Sequence, residues 1–291
     1  FRTRNLNAPS SWDYDRSLEE GVARSSEWAD RTRPVSIVDG TGLINGETLT
    51  GVARNLVMTE TEGRSRYYAL SLNYQKERAE DDYSFRLIYT LSYLENNTED
   101  INFRAMDANN FEAEWGPSIN DRRHIINAIF NWYPVKNLSL SMAALLQSGQ
   151  PINRVPDARD FQVIKEDGSA VTLPDGSPFF SNDLNGDGGA FGDSYVGNSD
   201  RFPGEERNSD RLPWANTFDI SAQYNVSIGN GGRLEFRADI FNVFNADNLS
   251  GYSNNATQSN QIQPGPASSG VLIRRNASPP RQFQFGVRYH F

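Results

Sequence analysis

Long stretches of this chain alternate apolar and polar residues with a period of two, a pattern that suits extended strands and little else. From Ser65 to Lys76, Tyr68, Leu70, Leu72 and Tyr74 share one parity, while Ala69, Ser71, Asn73 and Gln75 share the other. Asp82 to Leu94 repeats this more sharply, with Tyr83, Phe85, Leu87, Tyr89, Leu91 and Tyr93 set against Ser84, Arg86, Ile88, Thr90 and Ser92. The same reading predicts strands at His124 to Tyr133, Leu138 to Gln147, Asn216 to Val226, Arg233 to Phe244 and Arg281 to Phe291. An eighth, at Val52 to Glu60, has its alternation broken by Arg54 and Asn55. The expected fold is all-β and antiparallel.

The length of these segments selects the environment. They run to about 9 to 12 residues, whereas soluble strands cluster near 5 to 6 and a tilted strand crossing a bilayer needs about 9 to 11. A spanning helix is excluded, because the longest apolar run is Met142 to Leu146. Arg86, Asp219, Arg233, Glu235, Arg237, Asp239 and Arg288 are read as lumen-facing; a charge on the lipid face near the midplane would cost about 2 to 4 kcal/mol. Two roles stay open for these seven: contact with a plug or substrate, or pairing across strands in a wetted interior. Near Phe241 the apolar parity slips, which predicts a bulge. Rings gather at strand ends, Tyr83, Trp132, Tyr133, Tyr289 and Phe291 at one rim, Tyr93 and Trp214 at the other, as interfacial girdles do.

Short links (Glu77 to Asp81, Pro134 to Asn137, Ser227 to Gly232) alternate with long ones (Glu95 to Arg123, Ser148 to Ala215, Asn245 to Pro280). That is the habit of a transmembrane β-barrel with tight periplasmic turns and long outer loops. The expected organisation is an extracellular loop region with a partial strand at 1–64 and barrel strands at 65–291, including the long extracellular loop 148–215. The carboxyl terminus then lies in the periplasm. A soluble β-sandwich whose aromatic parity fills a core is the competing architecture.

Composition narrows the chemistry. The formal charge of −9 argues against nucleic acid as a partner, since counterion release needs a cationic surface. With no cysteine there is no thiolate, disulfide or cysteine-ligated metal. The two histidines, His124 and His290, fall at opposite ends of different strands, and no nucleophile elbow, zincin or Walker motif occurs, so no enzymatic activity is expected. The chain begins at Phe1 without a basic and apolar leader, which reads as a mature or excised piece.

Between Gln150 and Trp214 lie 12 acidic and 6 basic residues. Asp183, Asn185 and Asp187 followed by Gly188 match the start of a calcium loop, but its twelfth position is Ser194, with Asp193 one residue short. No cofactor is required by this pattern. Ca²⁺ held by Asp183, Asn185, Asp187 and Asp193 within 183–194, and a solvated Asx-rich turn, both fit. Near the amino terminus, Ser17 with Glu20 reads as a capping box ahead of Val22; for Trp12, Tyr14 and Trp28, contact with a ligand and packing against neighbouring loops are both open, and packing is the expectation.

Several segments resemble a known family. The ending RQFQFGVRYHF sets Phe283, Phe285, Val287, Tyr289 and Phe291 on one face and resembles the insertion signal read by the outer-membrane barrel-assembly machinery. FRADIFNVFNADN, Phe236 to Asn248, is similar to the penultimate strand of TonB-dependent receptors. GRSRYYALSL (Gly63 to Leu72), DRRHIINAIFNW (Asp121 to Trp132), SGQP (Ser148 to Pro151) and DLNGDGG (Asp183 to Gly189) resemble the Oar-like branch, whose members carry a carboxypeptidase-regulatory-like domain before the plug. The resemblance implies a barrel of about 22 strands with an amino-terminal plug, energised through TonB and importing a scarce solute. This sequence holds no plug, no TonB box and only about a third of those strands, so it is expected to pair with amino-terminal strands and a plug outside it, within outer-membrane lipid. The competing function is a surface-adhesion or secretion-associated barrel whose long acidic loops bind a partner.

Overall fold

The computed structural model describes residues 2–5, 12–32, 43–44, 47–48, 57–99, 105–107, 109–154, 160–187, 200–229, 231–253, 261–262, 273–276 and 278–291. Seven long strands dominate: β1 (Ser65–Lys76), β2 (Tyr83–Asn96), β3 (His124–Val135), β4 (Leu138–Gln147), β5 (Ala215–Ile228), β6 (Gly232–Phe241) and β7 (Gln282–His290). They pair in chain order as one antiparallel meander, so all seven strands expected from the alternation are present. The sheet is open: among the described residues β1 pairs only with β2, and β7 only with β6. No helix among the described residues is long and apolar enough to cross a membrane.

Register brings the apolar parities onto one continuous face. Leu72 stands opposite Tyr89, Tyr89 opposite Ile126, and Ile126 opposite Leu146. Farther along the sheet, Phe236 lies between Tyr224 and Val287. Because opposed residues of an antiparallel pair point the same way, a one-residue slip anywhere would break this face. Among the described residues this face is bare: Tyr68, Leu70, Leu72 and Tyr74 are 56 to 67% exposed and Phe285 is 79% exposed. Of the buried hydrophobic residues, Ala144 alone belongs to the seven strands. A sandwich core is therefore not what the rings serve.

Three short turns close one end of the sheet. The tightest uses Asn137 at φ 68° and the last uses Gly231 at φ 86°, left-handed conformations that Asn and Gly tolerate. The other end carries the long connections.

Three expectations are corrected. The eighth segment supplies only the strand Val57–Glu60, which pairs with Arg2–Asn5 in a separate two-stranded sheet and does not extend the meander; residues 51–56 lie outside the described set. The strand expected to reach Phe244 stops at Phe241, because Asn242 turns to φ 49° and gives its N–H to the Asp219 carboxylate at 2.8 Å. The Val243 N–H then returns to the Phe218 carbonyl at 2.8 Å, so one extra residue is absorbed, which is the anticipated bulge, and Phe244 rejoins the apolar face with its ring 5.0 Å from that of Phe218. Lastly, Ser17 is not an N-cap. Helix α1 (Tyr14–Glu20) starts earlier, capped by Asp13, whose carboxylate accepts the N–H groups of Asp15 and Arg16. Gly21 ends it at φ 66°. Ser17 is buried inside α1, where its hydroxyl accepts Trp12 Nε1–H at 2.7 Å.

Candidate functional site

The hydrophobic core lies outside the sheet, between the amino-terminal region and the 148–215 connection. Trp12, Ala23, Phe161, Val163 and Leu184 form it, with Tyr14, Trp28 and Phe202 packed alongside. Strand Val22–Arg24 pairs in parallel with Gln162–Ile164, joining the amino-terminal region to the 148–215 connection. Trp12 and Trp28 meet edge to face at 5.4 Å, as packing predicts, and Trp12 is buried. The connection folds back twice through matched turns: in Asp167-Gly168-Ser169 and Asp175-Gly176-Ser177 each Asp accepts the serine N–H at 2.9 Å and its hydroxyl at 2.6 Å. Those serine bonds hold both carboxyl pKa values below the ordinary range.

Buried arginines tie this cap to the strand ends. Arg207, fully buried, donates to Glu99 at 2.6 Å, to the Glu114 carbonyl at 2.8 Å and to the backbone and side chain of Asn96 at the end of β2. Arg201 donates to the buried Glu114 carboxylate at 2.7 Å. Asp121, also buried, accepts the Leu94 N–H at 3.0 Å and is shared by Arg123 and Arg211. Two motifs meet here: Arg122 of the DRRH segment donates to the Ser148 carbonyl and to Gln150, both in SGQP. Gly149 is required, since a methyl group at its Cα would fall on the Leu212 carbonyl oxygen.

The DLNGDGG segment contributes Leu184 to the core and Asn185 to the polar network. The Asn185 amide nitrogen donates to Tyr14 Oη at 3.1 Å and to the Met106 carbonyl at 2.9 Å, while its oxygen accepts the Asp187 N–H at 2.8 Å. Asp200 was not singled out by the sequence, yet its carboxylate accepts the Leu184 and Asn185 N–H groups at 2.7 and 3.1 Å. Burial, reinforced by the charges of Asp183 and Asp187, holds the Asp200 pKa well above the usual carboxylate range. Asp193 lies outside the described residues. Among the described residues, no group of three or more His, Cys, Asp or Glu side chains is arranged to hold a metal ion.

The seven residues read as lumen-facing all fall on the polar face. Glu235 lies across from Arg288 at 4.0 Å and is 3.5 Å from His290, a cross-strand cluster. Arg237 pairs along its own strand, with Asp239, at 2.9 Å. Asp219 holds the bulge, Arg233 sits opposite His290, and Arg86 sits between Gln75 and Ile129. Phe283, Phe285, Val287 and Tyr289 share the apolar face of β7, and the Tyr289 ring lies 6.0 Å from that of Phe291. Glu99, Glu114, Arg201 and Arg207 escaped the sequence reading, because a buried charge in a loop has the same local signature as a solvated one.

No curated protein matches the chain. A family model described as an outer membrane beta barrel domain matches residues 3–284. That match spans nearly the whole sequence and agrees with a long-stranded antiparallel sheet bearing one bare apolar face, so the chain belongs to the outer membrane beta-barrel domain family and is an outer-membrane barrel protein.

Proposed function

We propose that the chain is the carboxyl-terminal barrel part of a TonB-dependent receptor of the Oar-like branch, importing a scarce solute across the outer membrane without enzymatic chemistry. The observation that carries this reading is the pair of unpartnered edges, β1 and β7. Open edges are not tolerated in lipid, so further strands must complete the barrel. The proposed partners are amino-terminal strands and a plug, the TonB complex acting through that plug, outer-membrane lipid, and the assembly machinery reading Phe283 to Phe291. The long connections then face the exterior and the carboxyl terminus the periplasm. Within the cap, Ca²⁺ bound by Asp183, Asp187 and Asp193 would offset the repulsion that Asp200 feels; Asn185 would join through its amide oxygen, the atom that accepts the Asp187 N–H.

The polypeptide encoded ahead of Phe1 tests the receptor reading. A plug with a TonB box is the expected result, and bare strands without one would replace import by a passive channel or adhesin. Calorimetry on the intact receptor tests the cation: the Asp183→Ala, Asp187→Ala pair is expected to abolish calcium uptake, and equal uptake sinks that part. One observation favours the surface-binding alternative, the exposed Leu173, Phe179 and Phe180 on the doubly turned arm. Truncating the arm separates the two, since it would abolish partner capture by an adhesin and leave energised uptake in place.

A further inference from the structure

At the end of the sheet that carries the long connections, the apolar face finishes in a row of paired cations and rings. The Arg123 guanidinium lies 3.8 Å from the centre of the Tyr93 ring, and that of Arg66 lies 5.3 Å from the centre of a Trp115 ring. His124 stacks between Tyr89, at 6.1 Å, and Trp214, at 5.7 Å, and its Nδ1 is bonded to Tyr89 Oη at 2.9 Å. Register sets Tyr93 opposite Tyr68 and Arg66 two pairs further toward the rim, opposite Glu95. Arg66 and Tyr93 are thus diagonal neighbours, about 7 to 8 Å apart.

The charges here run against those of the chain. Arg66 makes no ion pair among the described residues, and Arg123 shares the single buried carboxylate of Asp121 with Arg211. With Glu95 across from Arg66, three guanidiniums meet two carboxylates here, so one cationic charge is left over on the membrane-facing rim of an acidic protein. A ring beneath each guanidinium fixes its position without neutralising it, and Tyr and Trp at this level sit where lipid headgroups lie.

We propose that this rim is a binding site for a phosphate-bearing lipid of the outer leaflet, its phosphate held between Arg66 and Arg123 and its apolar portion resting on Tyr68 and the rings below. The site needs the long connections to face outward, and otherwise stands independently of import. Basic residues near a membrane surface each strengthen anionic-lipid binding by about fivefold. The test uses the full-length receptor, purified in neutral detergent and stripped of lipid, with purified bisphosphorylated lipid A as the probe and retention read by native mass spectrometry. Arg66→Gln is expected to weaken binding by about fivefold, and Arg66→Gln with Arg123→Gln by about 25-fold. Arg66 lacks an ion pair, so the single variant keeps the test valid if the double variant misfolds, and heat-modifiable migration on gels verifies folding. Unchanged lipid A affinity in the folded single variant would overturn the proposal. So would displacement of lipid A by inorganic phosphate at equal concentration, which would reveal a free-anion site.

Discussion

Arg207 is the side chain on which the cap most depends. Its partners Glu99, Glu114, Asn96 and Gly116 come from two stretches of chain, and the removal of one member of a buried pair costs about 3 to 5 kcal/mol. Arg207→Ala is expected to raise amide exchange across the 97–123 and 148–214 connections while strand amides stay protected. Asp200 gives a pH dependence of definite sign. Its folded pKa is raised by burial, so its contribution is fully present below the unfolded carboxyl value, about 3.9, and is lost as pH rises through the folded value. Protection of the Leu184 and Asn185 amides, corrected for intrinsic exchange, should therefore fall from mildly acidic to neutral pH. Asp200→Asn, which keeps an acceptor oxygen, should flatten that profile. Neither residue was legible in the sequence. Asp200 stands among other acidic residues with nothing local to set it apart, and only the fold reveals that its neighbours Asp183 and Asp187 are held close.

Elements were far more legible than side-chain partners. A two-residue period survives any tertiary arrangement, so β1 to β7 could be read directly, down to the bulge at Asn242. The failures fell where local chemistry is ambiguous. Ser17 and Glu20 match a capping box, but Asp13 caps the same helix four residues earlier, because Gly21 stops any helix that would start at Ser17. The four-residue strand Val57–Glu60 resembles part of a barrel strand until its partner, Arg2–Asn5, is known. The two faces of β1 give a direct test. Leu72→Arg, on the bare apolar face, should destabilise the membrane-embedded receptor by about 2 to 4 kcal/mol in denaturant titrations, whereas Ser71→Arg, one residue away, should stay within about 1 kcal/mol. At the junction of β4 with the cap, Gly149→Ala would drive a methyl group into the Leu212 backbone, and overpacking of that kind costs about 1 to 3 kcal/mol. The expected result is greater protease sensitivity of the 148–214 connection with an unchanged strand signature by circular dichroism.

For the molecule as a whole, seven antiparallel strands leave β1 and β7 running in the same direction. They cannot join each other in an antiparallel ladder, so closure of that kind demands an odd number of additional strands. A small epitope inserted at Asp175-Gly176 should be accessible to antibody on intact cells, and one inserted beside Gly231 only after the outer membrane is opened; the reverse pattern would invert the proposed orientation.

Because the packed apolar centre is built by the amino-terminal region and the 148–215 connection and the strands present their rings outward, two solvents hold this molecule together. Water enforces the first part and hydrocarbon the second. A chaotrope should melt the cap while leaving the strands seated in the bilayer, and thinning the bilayer should loosen the strands before it disturbs the cap.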